Sequence, residues 1–255
     1  LLMTVIGFLV IWVALFSMKE TVTADPSRLN FKALGRTYKA LLSNPQFLSA
    51  ALVMGGALGA LYAQATFLPF ILMDEVGLTP AQFGASMLAQ SGSFFTASLL
   101  VRQLMGRFSA DRLVGPGLVF VALGSLGTLT LLLWPPSFLH VMVPVATYSF
   151  GIAFVMPAMS TAALAPFGRA AGAAASMLGF IQMGSGLLVG SLGALLGNAL
   201  LAMATLIPMM GAVACVSFLI YRKIQPRPAA AAPANTRATC GPKVTAPSPV
   251  SAPEK

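Results

Sequence analysis

The chain has 255 residues, of which 57% are hydrophobic and only 8% charged, with a formal net charge of +9. Soluble domains carry roughly 25% charged residues, so this composition excludes a surface that mostly faces water. The basic excess does not point to nucleic acid, because no basic stretch is interleaved with aromatic residues as a stacking platform requires. Lys and Arg here mark cytoplasmic loops and favour anionic lipid. Two cysteines, Cys215 in an apolar run and Cys240 in a polar tail, lie in different environments and give no disulfide framework.

Residues 113–168 and 170–221 contain no Asp, Glu, Lys or Arg. A spanning helix needs about 20 apolar residues, so each stretch holds two spans. Residues 1–18 form a first apolar run that starts without Met or a basic segment, which is no signal peptide and reads as a chain whose upstream part is missing. A polar segment, 19–45, follows. In it Phe31, Leu34, Tyr38 and Leu41 recur at helical spacing with Lys32, Arg36 and Lys39 on another face, a pattern that predicts an amphipathic helix on the membrane surface. Asn44-Pro45 ends it.

Further spans are predicted at about 47–73, closed by Asp74-Glu75, and at about 80–104, with Arg102 near the end where a long side chain can snorkel. The polar loop 106–112 leads to a span at about 114–134, and Pro135-Pro136 makes the next turn. The last three spans are predicted at about 138–164, 170–193 and 199–221, the final pair joined by a turn around Gly197-Asn198. Beyond 222 the Pro- and Ala-rich composition predicts a disordered tail. The fold class is therefore all-α and membrane-spanning, with about seven transmembrane helices.

Basic residues fix an expected orientation. Lys19, Arg28, Lys32, Arg36 and Lys39 follow the first span, Arg107 and Arg112 the third, Arg169 the fifth, and Arg222, Lys223 and Arg227 the seventh. The alternate loops hold Asp74, Glu75 and His140 instead, so every odd-numbered exit is expected to be cytoplasmic.

The spans contain no Asp or Glu, and the single His, His140, is placed in an outer loop. No nucleophile with its base and no metal-ligand cluster can be assembled, so neither an enzyme nor a cofactor or metal site is expected. The last span has no Lys for a retinal Schiff base. Gly55 with Gly59, Gly186 with Gly190, and Gly193 with Gly197 have the four-residue spacing that lets helix backbones approach, either as static packing or as surfaces that rock during transport. Membrane-embedded polar residues (Gln64, Thr66, Gln90, Ser91, Tyr148, Gln182, Ser185) either bond between helices or line a pocket. With Phe67, Phe94 and Met156 nearby, a pocket of amides and rings would suit bulky amphipathic ligands.

Several stretches resemble the major facilitator superfamily, and within it the Bcr/CflA drug-efflux branch. Lys19-Glu20-Thr21 is similar to the family's start of its central loop. Pro69-Phe70-Ile71-Leu72 with Gly77-Leu78-Thr79-Pro80-Ala81-Gln82-Phe83-Gly84 resembles its seventh-to-eighth helix junction. The most specific stretch runs from Ala165-Pro166-Phe167-Gly168-Arg169 through Gln182-Met183 and resembles the tenth-to-eleventh junction. The loop from Gly106 to Arg112 is similar to a degenerate gating loop, with its Gly-to-Asp spacing off by one.

The resemblance implies that residues 1–221 are helices six to twelve of a twelve-helix fold. Residues 1–18 would end the N-terminal half, 19–46 would be the cytoplasmic linker, 47–221 the C-terminal six-helix bundle, and 222–255 a cytoplasmic tail. It implies proton-coupled export, by antiport, of drug-like molecules across the bacterial inner membrane, hence antibiotic resistance. The partners would be a small-molecule substrate, protons, the lipid bilayer and the missing N-terminal half with its coupling carboxylates. A transporter of another solute, such as a metabolite or sugar derivative, and a non-transporting scaffold or receptor stay open. By the resemblance, helices seven, eight, ten and eleven border the pathway; helical periodicity on them then selects Tyr62, Gln90, Phe94, Tyr148 and Gln182 as substrate-binding. The orientation is tested with an impermeant thiol reagent: Cys240 should react only in inside-out vesicles, and labelling from outside intact cells would overturn it.

Overall fold

A computed structural model describes residues 2–17 and 31–224, and their regular elements are all helical. Helix α1 covers Leu2–Ser17, α2 Phe31–Ser43, α3 Pro45–Pro69, α4 Pro80–Met105, α5 Ala110–Leu129, α6 Phe138–Leu164, α7 Ala171–Leu195 and α8 Ala199–Ile224. Three short segments extend them: a π-helical turn at Phe70–Glu75 and 3-10 turns at Thr130–Leu132 and Ala165–Ala170. The polar residues 18–30 and the tail beyond Ile224, with Cys240, lie outside the described residues.

The helix boundaries have local causes. The Asn44 side chain accepts from the backbone N–H groups of Gln46 (3.0 Å) and Phe47 (3.1 Å). Pro45 sits at the first helical position, where its missing N–H costs nothing. The same Asn-Pro pair that stops α2 therefore starts α3. Thr79 and Gln82 form a reciprocal capping box on α4. Between α7 and α8 the turn is made by Gly197, whose φ of 66° is left-handed, and by Asn198, whose side chain accepts from Leu201 N at 2.9 Å. Pro69 ends regular α3 by removing a donor, and the wider π turn follows it.

Five helical segments are long and apolar enough to cross a membrane: Pro45–Glu75, Ala110–Leu132, Phe138–Gly168, Ala171–Leu195 and Ala199–Ile224. Helix α4 has 26 residues, but its many Gln, Ser and Thr residues and Arg102 make it less apolar. In α1, with 16 residues, the described side chains are exposed. This is an all-α membrane protein. The amphipathic pattern predicted before the second span does form a helix, α2. Its Leu41 is fully buried, Tyr38 half-buried and Leu34 exposed.

Helix α3 is the centre of the bundle, packed by α6, α7 and α8, while α5 pairs with α6 and α8 and α4 with α6. Small residues make these seams. A Cβ at Gly59 would run into Ser185 of α7, and one at Gly56 would come 2.9 Å from Met210 O of α8. On the other side of the α3–α7 seam Gly186 lies under Tyr62 and Gly193 under the Phe67 ring. Gly190 has only Thr66 Oγ1 near, at 4.0 Å, and Gly197 belongs to the turn with open space around it. The expected pairing of Gly193 with Gly197 as one packing surface is thereby corrected.

Helices α5 and α6 meet backbone to backbone, where a Cβ at Gly124 would sit 2.7 Å from Tyr148 N and 2.8 Å from Pro144 O. Both obstacles are backbone, which cannot rotate away. Gly124→Ala should therefore destabilise the bundle by about 1–3 kcal/mol through overpacking. Gly190→Ala should be neutral or slightly stabilising, since it meets nothing and gains helix propensity. Thermal unfolding of the two variants in detergent checks the contrast; equal midpoints would show that α5 and α6 are not so closely joined.

Candidate functional site

Two cavities lie along the seam of α4 and α6 and share Phe94 as a common wall. The first, of about 370 Å³, is closed on its third side by α3 and is lined by Leu61, Tyr62, Ala65, Gln90, Ser91, Phe94 and Ser149. The second, of about 630 Å³, runs on from Phe94 past Ser98, Val101 and Arg102 of α4 and Met156 and Ser160 of α6. Both volumes fall in the range of small-molecule sites.

The α4 residues involved (Gln90, Phe94, Ser98, Arg102) follow one another at intervals of four, so they form one stripe on the helix. Two hydrogen bonds fasten the seam from which the stripe projects. Gln90 Nε2 donates to Ser149 Oγ at 3.2 Å, and Ser93 Oγ donates to Ala146 O at 2.7 Å. The bond to Ser149 uses one amide hydrogen of Gln90 and fixes the plane of the amide. Its carbonyl oxygen and second N–H are left to meet a ligand. Tyr62 is held from behind by Gly186, where a Cβ would approach Tyr62 Cβ to 2.9 Å. Its ring therefore packs against α7 over Gly186 and also forms part of the cavity wall.

Of the five residues selected from sequence, the structure brings three together. Tyr62, Gln90 and Phe94 line the smaller cavity. Tyr148 does not join them, and this is a correction. It is fully buried, and its hydroxyl donates to Ala57 O at 3.0 Å, with Gly56 O at 3.4 Å. It is a bolt between α6 and α3, outside the lining of both cavities. Gln182 is half-buried on α7 and also lies outside both linings.

The remaining polar candidates divide in the same way. Ser185 donates to Gly55 O across the α3–α7 seam at 2.8 Å and is as near to Gln182 O in its own helix. Thr66 bonds only to Tyr62 O of its own helix. Ser91 and Met156 line cavities, whereas Phe67 is buried. Gln64 is fully buried, and both its amide atoms lack a partner, so the expected interhelical bond is not made. His140 Nε2 lies 2.7 Å from Thr130 Oγ1, which also donates to Gly127 O at 2.6 Å. A hydroxyl has one hydrogen, so the imidazole is the donor to Thr130, and His140 serves the α5–α6 hairpin.

Residues that sequence reasoning missed are Ser149, Ser98, Ser160 and, as part of a cavity wall, Arg102. The four-residue interval along α4 was the available signal for Ser98 and Arg102. Among the described residues no cluster of three His, Cys, Asp or Glu could hold a metal ion.

No family model matches the chain. Sequence comparison finds multidrug transporters. Over 168 residues the chain is 25% identical to the multidrug transporter MdfA of Escherichia coli, which covers 66% of this chain and 41% of that protein. It is 27% identical over 174 residues to MdfA of Edwardsiella ictaluri, with the same coverage. It is 26% identical over 160 residues to the multidrug resistance protein MdtM of Salmonella typhimurium, covering 62% and 38%. Among solved structures the fold is similar to the E. coli fucose:proton symporter FucP, with a TM-score of 0.62, 18% identity and coverage of 88% of this chain and 54% of that one. The chain thus spans about two fifths of the length of the curated relatives it matches. The chain therefore shares its helical fold with this symporter and part of its sequence with multidrug transporters.

The distinction between bolt and wall is measurable. Tyr148→Phe removes one buried hydroxyl and leaves Ala57 O to its helical bond, so it should lower the thermal stability by about 0.5–1.5 kcal/mol. It should leave the relative affinities for different ligands unchanged. A selective change of ligand profile at unchanged stability would return Tyr148 to the binding surface.

Proposed function

We propose that the chain is the C-terminal part of a major facilitator transporter that exports drug-like amphipathic molecules, coupled to protons, by alternating access. In this reading α3, α4, α5, α6, α7 and α8 form one six-helix half, α1 belongs to the other half, and α2 lies in the linker between them. The odd-numbered exits and the tail are cytoplasmic, and the membrane is the bacterial inner membrane. The observation that carries the reading is the smaller cavity, where an aromatic pair, Tyr62 and Phe94, stands around an amide held by Ser149. Apolar walls with few oriented polar groups suit molecules whose shape varies more than their polarity. The similarity to multidrug transporters supports the same substrate class.

None of the described carboxylates, Asp74, Glu75 and Asp111, lines either cavity. Proton coupling is therefore assigned to the part of the transporter that this chain does not contain. Gln182, which the sequence selects, stays a candidate for the binding surface in a conformation where α7 turns toward the pathway. A half-transporter offers one wall of a site, so the function tested must be that of the intact transporter.

The test is drug resistance conferred by the complete reading frame that includes this chain, with and without a proton uncoupler. Uncoupler-sensitive resistance to bulky apolar compounds is expected. Phe94→Ala and Tyr62→Ala should each reduce efflux of the largest apolar compounds about tenfold. Losing a ring face removes roughly 1–2 kcal/mol of apolar burial. Gln90→Leu should penalise polar compounds more than apolar ones. Transport of a sugar or metabolite with no effect on drugs would replace the substrate class, and absence of any transport would favour a receptor or scaffold.

A further inference from the structure

We infer that the larger cavity is an anion-selecting arm of the binding site, in which Arg102 receives the negatively charged end of an elongated amphipathic molecule. The inference rests on the transport reading and adds to it the charge and shape of the preferred substrate. Its first support is adjacency: Phe94 lines both cavities, so a molecule that occupies both would lie across its ring. The second is polarity along the path. Near Gln90 the walls offer neutral hydrogen-bonding groups; beyond Phe94 they are mainly apolar, with Val101, Ala153 and Met156, and the lining also includes Ser160 and the exposed Arg102. The third is charge. Arg102 is the one side chain charged at neutral pH among the residues lining the two cavities, and the described carboxylates lie elsewhere.

An arginine in the last turn of α4 also complements the negative end of the helix, and a lipid-facing arginine would do no more than that. Here, however, Arg102 stands in the wall of a cavity of about 630 Å³ rather than on a convex surface. A guanidinium offers a fork of donors matched to a carboxylate, sulfonate or phosphate. Gln90 and Arg102 are twelve residues apart, about 18 Å along a helix. That distance suits a ring or amide at one end, an alkyl chain across Phe94 and Met156, and an anion at the other end. The shared chemistry is a single-chain anionic amphiphile, and the site is assigned to a soluble one rather than to a resident phospholipid.

The experiment uses the intact transporter in phosphatidylcholine nanodiscs and three fluorescent probes of equal length: dansyl-undecanoate, its methyl ester and its trimethylammonium counterpart. The native protein should bind the carboxylate more tightly than the ester and the ester more tightly than the cation. Arg102→Gln should weaken the carboxylate about tenfold, leave the ester within about twofold and strengthen the cation. Arg102→Lys, which keeps the charge and guards against misfolding of the first variant, should restore most of the carboxylate's affinity. Phe94→Ala should weaken all three. Equal losses of carboxylate and ester in Arg102→Gln, or no preference for the carboxylate in the native protein, would overturn the inference alone. Indifference of all three probes to Phe94→Ala would overturn the cavity reading beneath it. Replacing part of the phosphatidylcholine with phosphatidylglycerol should leave carboxylate binding unchanged; competition would show that a lipid occupies the arm and would overturn its assignment to a soluble substrate.

Discussion

Everything in this bundle depends on how closely α3 can be approached by its neighbours. Inside a bilayer one apolar helix gains little by leaving lipid for another, so association must come from dense packing and from hydrogen bonds. Helix α3 meets both demands through Gly55, Gly56 and Gly59. These let Ser185 of α7 reach Gly55 O and let α8 come within backbone contact. The Tyr148 hydroxyl enters the same stretch from α6 and ends on Ala57 O. Three helices are thus anchored within about one and a half turns of α3. The cavity wall follows from that anchorage, since Tyr62 lies about one turn later and is seated on α7 over Gly186.

This arrangement explains which parts of the fold were legible in the sequence. Asn44-Pro45, Thr79-Pro80, Pro135-Pro136 with Ser137, and Gly197-Asn198 are local signals whose physics acts within a few residues. The helices they delimit begin and end within a few residues of the predicted bounds. The inner face of each span was not legible in the same way. A helix that is apolar all round carries no stripe to say which side is inside, and periodicity can only group residues that share a face. Tyr148, Ile152 and Met156 share one face of α6 by their four-residue spacing. Yet Tyr148 and Ile152 are fully buried while Met156 meets a cavity, so residues on one face of α6 differ in what covers them.

Helix α4 shows the reverse. It is the least apolar of the long helices, and there the polar pattern does carry direction. Its hydroxyls divide between bonds to its own backbone, as in Thr96 to Gly92 O and Ser98 to Phe94 O, and bonds to α6, as in Ser93 to Ala146 O. A hydroxyl satisfied by its own helix can face lipid, a cavity or a partner at little cost. One that reaches a neighbouring helix marks a seam. The residues Gln90, Phe94, Ser98 and Arg102 combine both kinds along one edge, which is why three of the sequence-selected residues converge where α4 meets α3 and α6.

The two buried polar groups without partners, Gln64 and Ser125, belong to neither class. Ser125 is pressed against Gly211 of α8, where no side chain stands to accept from it. Gln64 sits among fully buried apolar residues of α3, with Ala60, Ala63 and Leu68 on adjoining turns. An unsatisfied buried polar group costs roughly 1–3 kcal/mol, yet neither residue touches the cavities, so neither cost is offset by a contact made there. Their positions outside both cavity linings separate two kinds of intramembrane polarity. On the cavity side the amide of Gln90 is held by Ser149 and still has atoms to offer a ligand, the condition for orienting one. In the core the amide of Gln64 is held by nothing, and the packing around α3 is what fixes its place.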